Sequence, residues 1–159
     1  MIKKSVSPIT REKALPLMAA LCVKCEQCEA DLREKMCRRG LSVQDVDYVI
    51  DYLYEHKFLD TERYANAYAV DKFRFNSWGR IKIALMLRSK KLPDYAIKKA
   101  LSKIPEDEYR HTLLKLAHSA SRSLILSDYA DRAKLMRRLY SKGFEPALIR
   151  MTLEDLLES

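Results

Sequence analysis

The chain of 159 residues contains only three Gly and five Pro. An all-β domain reverses direction every few residues and places Gly and Pro at those turns, so the scarcity argues against one. No apolar run approaches the roughly 20 residues that span a bilayer. Met1-Ile2-Lys3-Lys4-Ser5 lacks the apolar core of a secretory leader, and the expectation is a cytoplasmic protein away from the membrane.

Catalytic machinery is also missing. There is no Gly-rich phosphate loop and no nucleophile beside a base. The three His residues, His56, His111 and His118, are scattered. His111 and His118 share a helix face without a carboxylate motif between them, which suits a solvent-facing or boundary position. Cys22, Cys25, Cys28 and Cys37 bunch in the first third, but no second Cys-x-x-Cys and no neighbouring His completes a zinc set. They read as free thiols on helices. No metal, cofactor or enzymatic activity is expected.

What is present is helix-forming. Ala, Leu, Lys, Arg and Glu dominate, and 48% of the residues are hydrophobic, enough for a packed interior. One helical unit is written three times: Leu32, Met36, Gly40, Leu41; then Ile83, Leu87, Lys91, Leu92; then Leu135, Leu139, Gly143, Phe144. Leu41, Leu92 and Phe144 stand 51 and then 52 residues apart. The register continues through Val46 and Ile50, Ile97 and Leu101, and Ile149 and Leu153. A period near fifty with matched apolar positions marks a tandem array.

Local signals divide the chain into a tail (1–10) and three three-helix units (11–56, 57–103 and 104–159). Thr10 is placed to cap a helix opening at Arg11. A second helix is expected over 26–39, ended by Gly40. Ser42 caps the third helix, with Asp45 three residues on and Leu41 packing on Val46 as a hydrophobic staple. Leu92 with Ile97 and Phe144 with Ile149 repeat that staple, with Pro93 and Pro146 at the helix starts. In the middle unit Asp60 is the expected cap and Leu59 with Tyr64 the staple. That helix should reach Phe75, with Asn76 or Ser77 opening the next. Asp128 caps the second helix of the last unit.

Charge is the uneven property. The tail carries two Lys, the first unit seven Lys/Arg against nine Asp/Glu, and the last unit nine of each. The middle unit carries twelve basic residues and four acidic ones, which equals the whole net charge of +8. Lys72, Arg74, Arg80, Lys82, Arg88, Lys90 and Lys91 cluster around its second helix. Such a cluster suits a phosphate backbone or an acidic protein groove. Phe73, Phe75, Trp78 and Tyr95 are interleaved with it, and Phe73 and Trp78 are expected in the core.

Four stretches together resemble the RecX family of recombination regulators. They are Phe58-Leu59-Asp60-Thr61-Glu62-Arg63-Tyr64-Ala65; Trp78-Gly79-Arg80-Ile81-Lys82-Ile83; Lys91-Leu92 with Ile97 and Ala100-Leu101; and Arg137-Arg138-Leu139-Tyr140-Ser141-Lys142-Gly143-Phe144. The resemblance covers roughly residues 14–155. Lys91 departs from it, since the family usually has Gly there. The resemblance implies an elongated, curved array of three-helix units. It also implies a monomeric, non-enzymatic protein that binds RecA and RecA–DNA filaments. Such a protein would restrain ATPase, strand-exchange and coprotease activity in DNA repair and the SOS response. Phe58, Leu59, Asp60, Arg63, Tyr64, Gly79, Gly143 and Phe144 are then structural motif positions, and the seven basic residues the interface candidates. The competing reading is direct DNA binding by the basic middle unit, with a helix in a major groove.

Overall fold

The computed structural model describes residues 7–159, and the described residues are all-α. Nine helices follow in order: α1 (Arg11–Lys24), α2 (Glu29–Arg38), α3 (Val43–Glu55), α4 (Thr61–Asn76), α5 (Arg80–Ser89), α6 (Asp94–Ser102), α7 (Glu106–Ser121), α8 (Tyr129–Ser141) and α9 (Pro146–Glu158). The principal helix pairings all join helices within α1–α3, within α4–α6 or within α7–α9.

The caps explain several of these boundaries. Ser42 accepts the Asp45 N–H at 3.2 Å, Asp60 accepts the Arg63 N–H at 2.8 Å, and Asp128 accepts the Asp131 N–H at 3.3 Å. Each side-chain oxygen satisfies a first-turn donor that the helix cannot. Thr10 precedes α1 but makes no side-chain cap bond. The turns after α2, α5 and α8 each contain one left-handed residue: Gly40 (φ +82°), Lys91 (φ +61°) and Gly143 (φ +91°). Gly adopts that conformation freely, whereas Lys91 pays a steric cost for its Cβ.

Two expected helix starts need correction. Residues 26–28 lie outside any helix, and α2 begins at Glu29 because Cys28 still has extended geometry. Likewise, Asn76 ends α4, Ser77 is left-handed, and α5 opens only at Arg80. The tail is also tied to the first unit. Its residues 1–6 lie outside the described residues, but the Ile9 N–H donates to the Arg39 carbonyl at 3.2 Å and Arg39 Nε donates to the Ser7 carbonyl at 3.2 Å.

The buried apolar side chains form two cores, not three. The first unit gathers Leu32, Met36, Val46, Val49, Ile50 and Leu53, joined by Leu59. The second core runs without a break from Cys28 and Tyr64 through Ile83, Leu87 and Ile97 to Tyr109, Leu113, Leu135, Leu139, Phe144 and Ile149. Leu59 and Tyr64, read as a staple, are divided between the two cores. Leu41 and Val46 share the first core, while Phe144 and Ile149 share the second. Phe73 is buried, but Trp78 is only half-buried against the second core.

Candidate functional site

The helices of the middle unit carry the basic cluster into two joints as well as into solvent. Four of its cations pair with carboxylates of the flanking units. Arg63 meets Glu26, Lys90 meets Asp31 at 2.8 Å, Arg80 meets Glu106 at 2.7 Å and Glu145 at 3.4 Å, and Arg74 lies 3.8 Å from Glu108. Part of the middle unit's charge excess is therefore matched inside the molecule.

Arg80 is the plainest case. Its side chain is only 22% exposed. The guanidinium lies 3.9 Å from the centroid of the Tyr109 ring, and the Arg80 backbone N–H donates to the Tyr109 hydroxyl at 2.9 Å. Tyr109 in turn donates to Glu145 at 2.5 Å. Burial first, and then the adjacent Glu145 carboxylate, push the Tyr109 phenol well above its usual range, so the hydroxyl stays a proton donor. Hydrogen bonds from Arg80 and then Arg110 hold the Glu106 carboxyl below its usual value.

Two glycines make this joint close. The Gly79 N–H donates to the Lys142 carbonyl at 2.7 Å, and the Ile81 N–H donates to the Gly143 carbonyl at 3.0 Å. The free N–H groups at the start of α5 thus find partners in the turn after α8. A Cβ on Gly79 would sit 2.3 Å from the Gly143 carbonyl group, and one on Gly143 would sit 2.3 Å from the Lys82 Cβ. Only bare backbone fits there. The motifs around Gly79 and Gly143 are therefore two halves of one contact.

The repeat register identifies the corresponding place between the first and middle units. Cys28 precedes α2 as Gly79 precedes α5, and Lys91 follows α5 as Gly143 follows α8. Here both positions carry side chains. Cys28 and Lys91 line a cleft of about 350 Å³ with Glu29, Tyr54, Tyr64 and Lys90. Side chains bridge its walls. Lys90 reaches Asp31, Tyr54 donates to Glu29 at 2.8 Å, and the Tyr54 hydroxyl lies 3.3 Å from the Thr61 hydroxyl. Arg63 also donates to the Lys57 and Phe58 carbonyls at 3.2 Å each. Burial pushes the Tyr54 phenol up to about 12. Burial also opposes the Asp31 charge, but hydrogen bonds from Lys90 and Cys28 outweigh it and hold the carboxyl below its usual value.

The remaining interface candidates lie elsewhere. Arg88 is exposed and pairs with Asp94 at 3.3 Å within its own unit. Lys72, Lys82 and Lys91 have no carboxylate within 4 Å among the described residues. The Lys72 and Lys82 ammoniums lie 5.0 and 4.5 Å from the centroid of the Trp78 ring. Lys142 joins this neighbourhood by donating to the Asn76 carbonyl at 3.1 Å. The structure thus brings Lys72 and Lys82 together. It commits Arg80 and Lys90 to opposite joints. Tyr109, Glu145 and Asp31 were not singled out in the sequence. The unexplained glycines were the only signal for the first two.

These features define a class: an all-α tandem array of three-helix units with two unlike joints. Residues 60–101 match the second three-helix domain of RecX, and residues 106–153 match the third. The chain belongs to the RecX family. It is 29% identical over 132 residues to the regulatory protein RecX of Clostridium botulinum strain Eklund 17B, and 30% identical over 125 residues to that of Clostridium perfringens strain SM101. Those matches take in 81% and 76% of this chain, but only 61% and 58% of the two relatives' lengths. The crystal structure of RecX from Lactobacillus salivarius superposes with a TM-score of 0.81 at 17% identity, covering 94% of this chain and 97% of that one. A second crystal structure of a regulatory protein RecX gives 0.80 at 20% identity, covering 91% and 71%. No helix among the described residues is long and apolar enough to cross a membrane.

Proposed function

We propose that this protein binds RecA and RecA–DNA filaments and restrains their ATPase, strand-exchange and coprotease activity, acting as a cytoplasmic monomer that catalyses no reaction itself. Its family membership supports a regulatory role. The observation that carries the reading is the set of middle-unit cations left over after the joints are satisfied. Lys72, Lys82 and Lys91 have no carboxylate partner among the described residues, and Arg88 is exposed. Three cations without a carboxylate partner, beside an Arg88 paired only with the exposed Asp94, favour an acidic groove or a phosphate backbone. The test is the ATPase rate of RecA on single-stranded DNA with increasing amounts of the protein. The expected result is a dose-dependent fall and loss of filament. An unchanged rate at saturating protein would overturn the reading.

Direct DNA binding is the second reading, favoured by Lys72, Lys82 and Lys142 gathered around Trp78 and Asn76. Salt dependence does not separate the two, because both are electrostatic. Binding to RecA without DNA does separate them, since only the first reading predicts it.

A further inference from the structure

The helix α5 has an outer face whose apolar side chains the array leaves in water, although Arg88 pairs with Asp94 at 3.3 Å and Lys82 donates to the Ser141 carbonyl at 3.5 Å. Its sequence, Arg80 to Ser89, contains no carboxylate. Ile83, Ala84 and Leu87 are buried, whereas Ile81 is 50% and Leu85 62% exposed. At about 100° per residue, Ile81 and Leu85 differ by only about 40° around the axis. Arg88 falls about 20° beyond Ile81, and Lys82 about 60° beyond Leu85. Two apolar side chains one turn apart are therefore bracketed by a cation on each side.

The other two units act as an internal control. At the positions that match Ile81 by the repeat offset, the first and last units have Ala30 and Ala133. At those that match Leu85 they have Glu34 and Arg137, both exposed. The fold is built twice with small or charged residues there, so the scaffold does not require two large apolar side chains in water. Two adjoining exposed apolar side chains rimmed by charge differ from the single scattered ones of an ordinary surface. Ile81 and Leu85 alone are too small a patch for a stable pairing of two copies.

We propose that this face of α5 docks an acidic amphipathic helix of the protein partner. That helix would set two apolar side chains, one turn apart, on Ile81 and Leu85, and its carboxylates against Lys82 and Arg88. The match is the helix-in-groove type, read through i and i+4 anchors. A nucleic acid would use the cations but gain little from Ile81 and Leu85, so the apolar pair selects protein. The inference rests on the proposed binding to RecA filaments and assigns its protein contact.

The test compares the full chain with an Ile81→Ala/Leu85→Gln double variant, which changes no charge. Affinity is measured by fluorescence anisotropy for RecA-coated and for bare single-stranded DNA. Both substitutions are on the surface, and thermal melting checks that the fold is kept; if the pair melts early, Leu85→Gln alone is read the same way. The expected outcome is about tenfold weaker binding to the filament, with bare-DNA binding unchanged. Unchanged filament affinity with intact melting overturns the assignment. An equal loss on bare DNA overturns it too, because the face would then contact nucleic acid. Failure of the unsubstituted protein to bind the filament at all defeats the functional reading itself and is seen before any variant is made.

Discussion

The joint between the middle and last units is made of backbone, whereas the joint between the first and middle units is made of side chains. In the former, Gly79 and Gly143 let two chain segments exchange hydrogen bonds directly, and Arg80, Tyr109 and Glu145 close over them. In the latter, Cys28 and Lys91 line a cleft, Cys28 itself is buried against the middle unit's core, and ion pairs of flexible side chains span the gap. One core runs through the backbone joint, while at the other the cores divide between Leu59 and Tyr64 and only Cys28 and Ala30 of the first unit reach the second core. The same repeat register thus yields two unlike connections, with Cys28 and Lys91 standing where the second joint has Gly79 and Gly143. A backbone contact transmits position rigidly. A side-chain contact lets one body turn on another at little cost, because partly exposed ion pairs are worth only about 0–1 kcal/mol each.

The largest expected effect follows from putting a side chain into the backbone joint. Gly143→Ala places a methyl group against Lys82 at a left-handed position, and should destabilise by about 3 kcal/mol, read from urea unfolding. Gly40→Ala, at the equivalent turn but with its nearest new neighbour 3.9 Å away, should cost only its backbone strain. Similar losses from the two would erase the distinction.

Tyr109→Phe removes the hydroxyl that takes the Arg80 N–H and donates to Glu145. It should cost about 1–3 kcal/mol in the same assay. A smaller loss is expected from Tyr54→Phe, whose hydroxyl bonds Glu29 among the residues lining the cleft.

Titration should act on the side-chain joint. The Asp31 carboxyl is held below its unfolded value of 3.8. Its stabilising effect is therefore present above that value and lost as the pH falls through the lower folded one. Lys90 is raised above 10.5, chiefly by its hydrogen bond to Asp31, so its effect is present below that pH and lost as the pH rises through the folded value. The Lys90→Met protein should lose this pair at every pH, at a cost of up to about 1 kcal/mol. Its unfolding free energy should consequently depend less steeply on pH below 4.

The smallest effect should have the opposite sign. Lys91→Gly relieves a left-handed non-glycine residue and should raise stability by a few tenths to about 1 kcal/mol in thermal melting. A loss would show that the Lys91 side chain supports the cleft.

The apolar period near fifty was enough to lay out three units, because a register repeated through Leu32, Ile83 and Leu135 leaves few other ways to bury them. The caps at Ser42, Asp60 and Asp128 were legible for the same local reason. The joints were not. Gly79 and Gly143 are 64 positions apart, and nothing in either motif announces that the two backbones touch. The regional charge balance misled in a related way. It separated Arg80 from Glu106 and Lys90 from Asp31, and so presented internal ion pairs as surplus charge. Exposure of Ile81 and Leu85 was likewise hidden, since apolar residues on a helix read as core until the packing is known.

Native-state hydrogen exchange along the chain, followed as denaturant is raised, tests the difference between the joints most directly. The account predicts that amides of α4–α9 converge on one shared opening reaction, while those of α1–α3 open together at lower denaturant. Convergence of α1–α6 on one reaction, with α7–α9 opening separately, would contradict it.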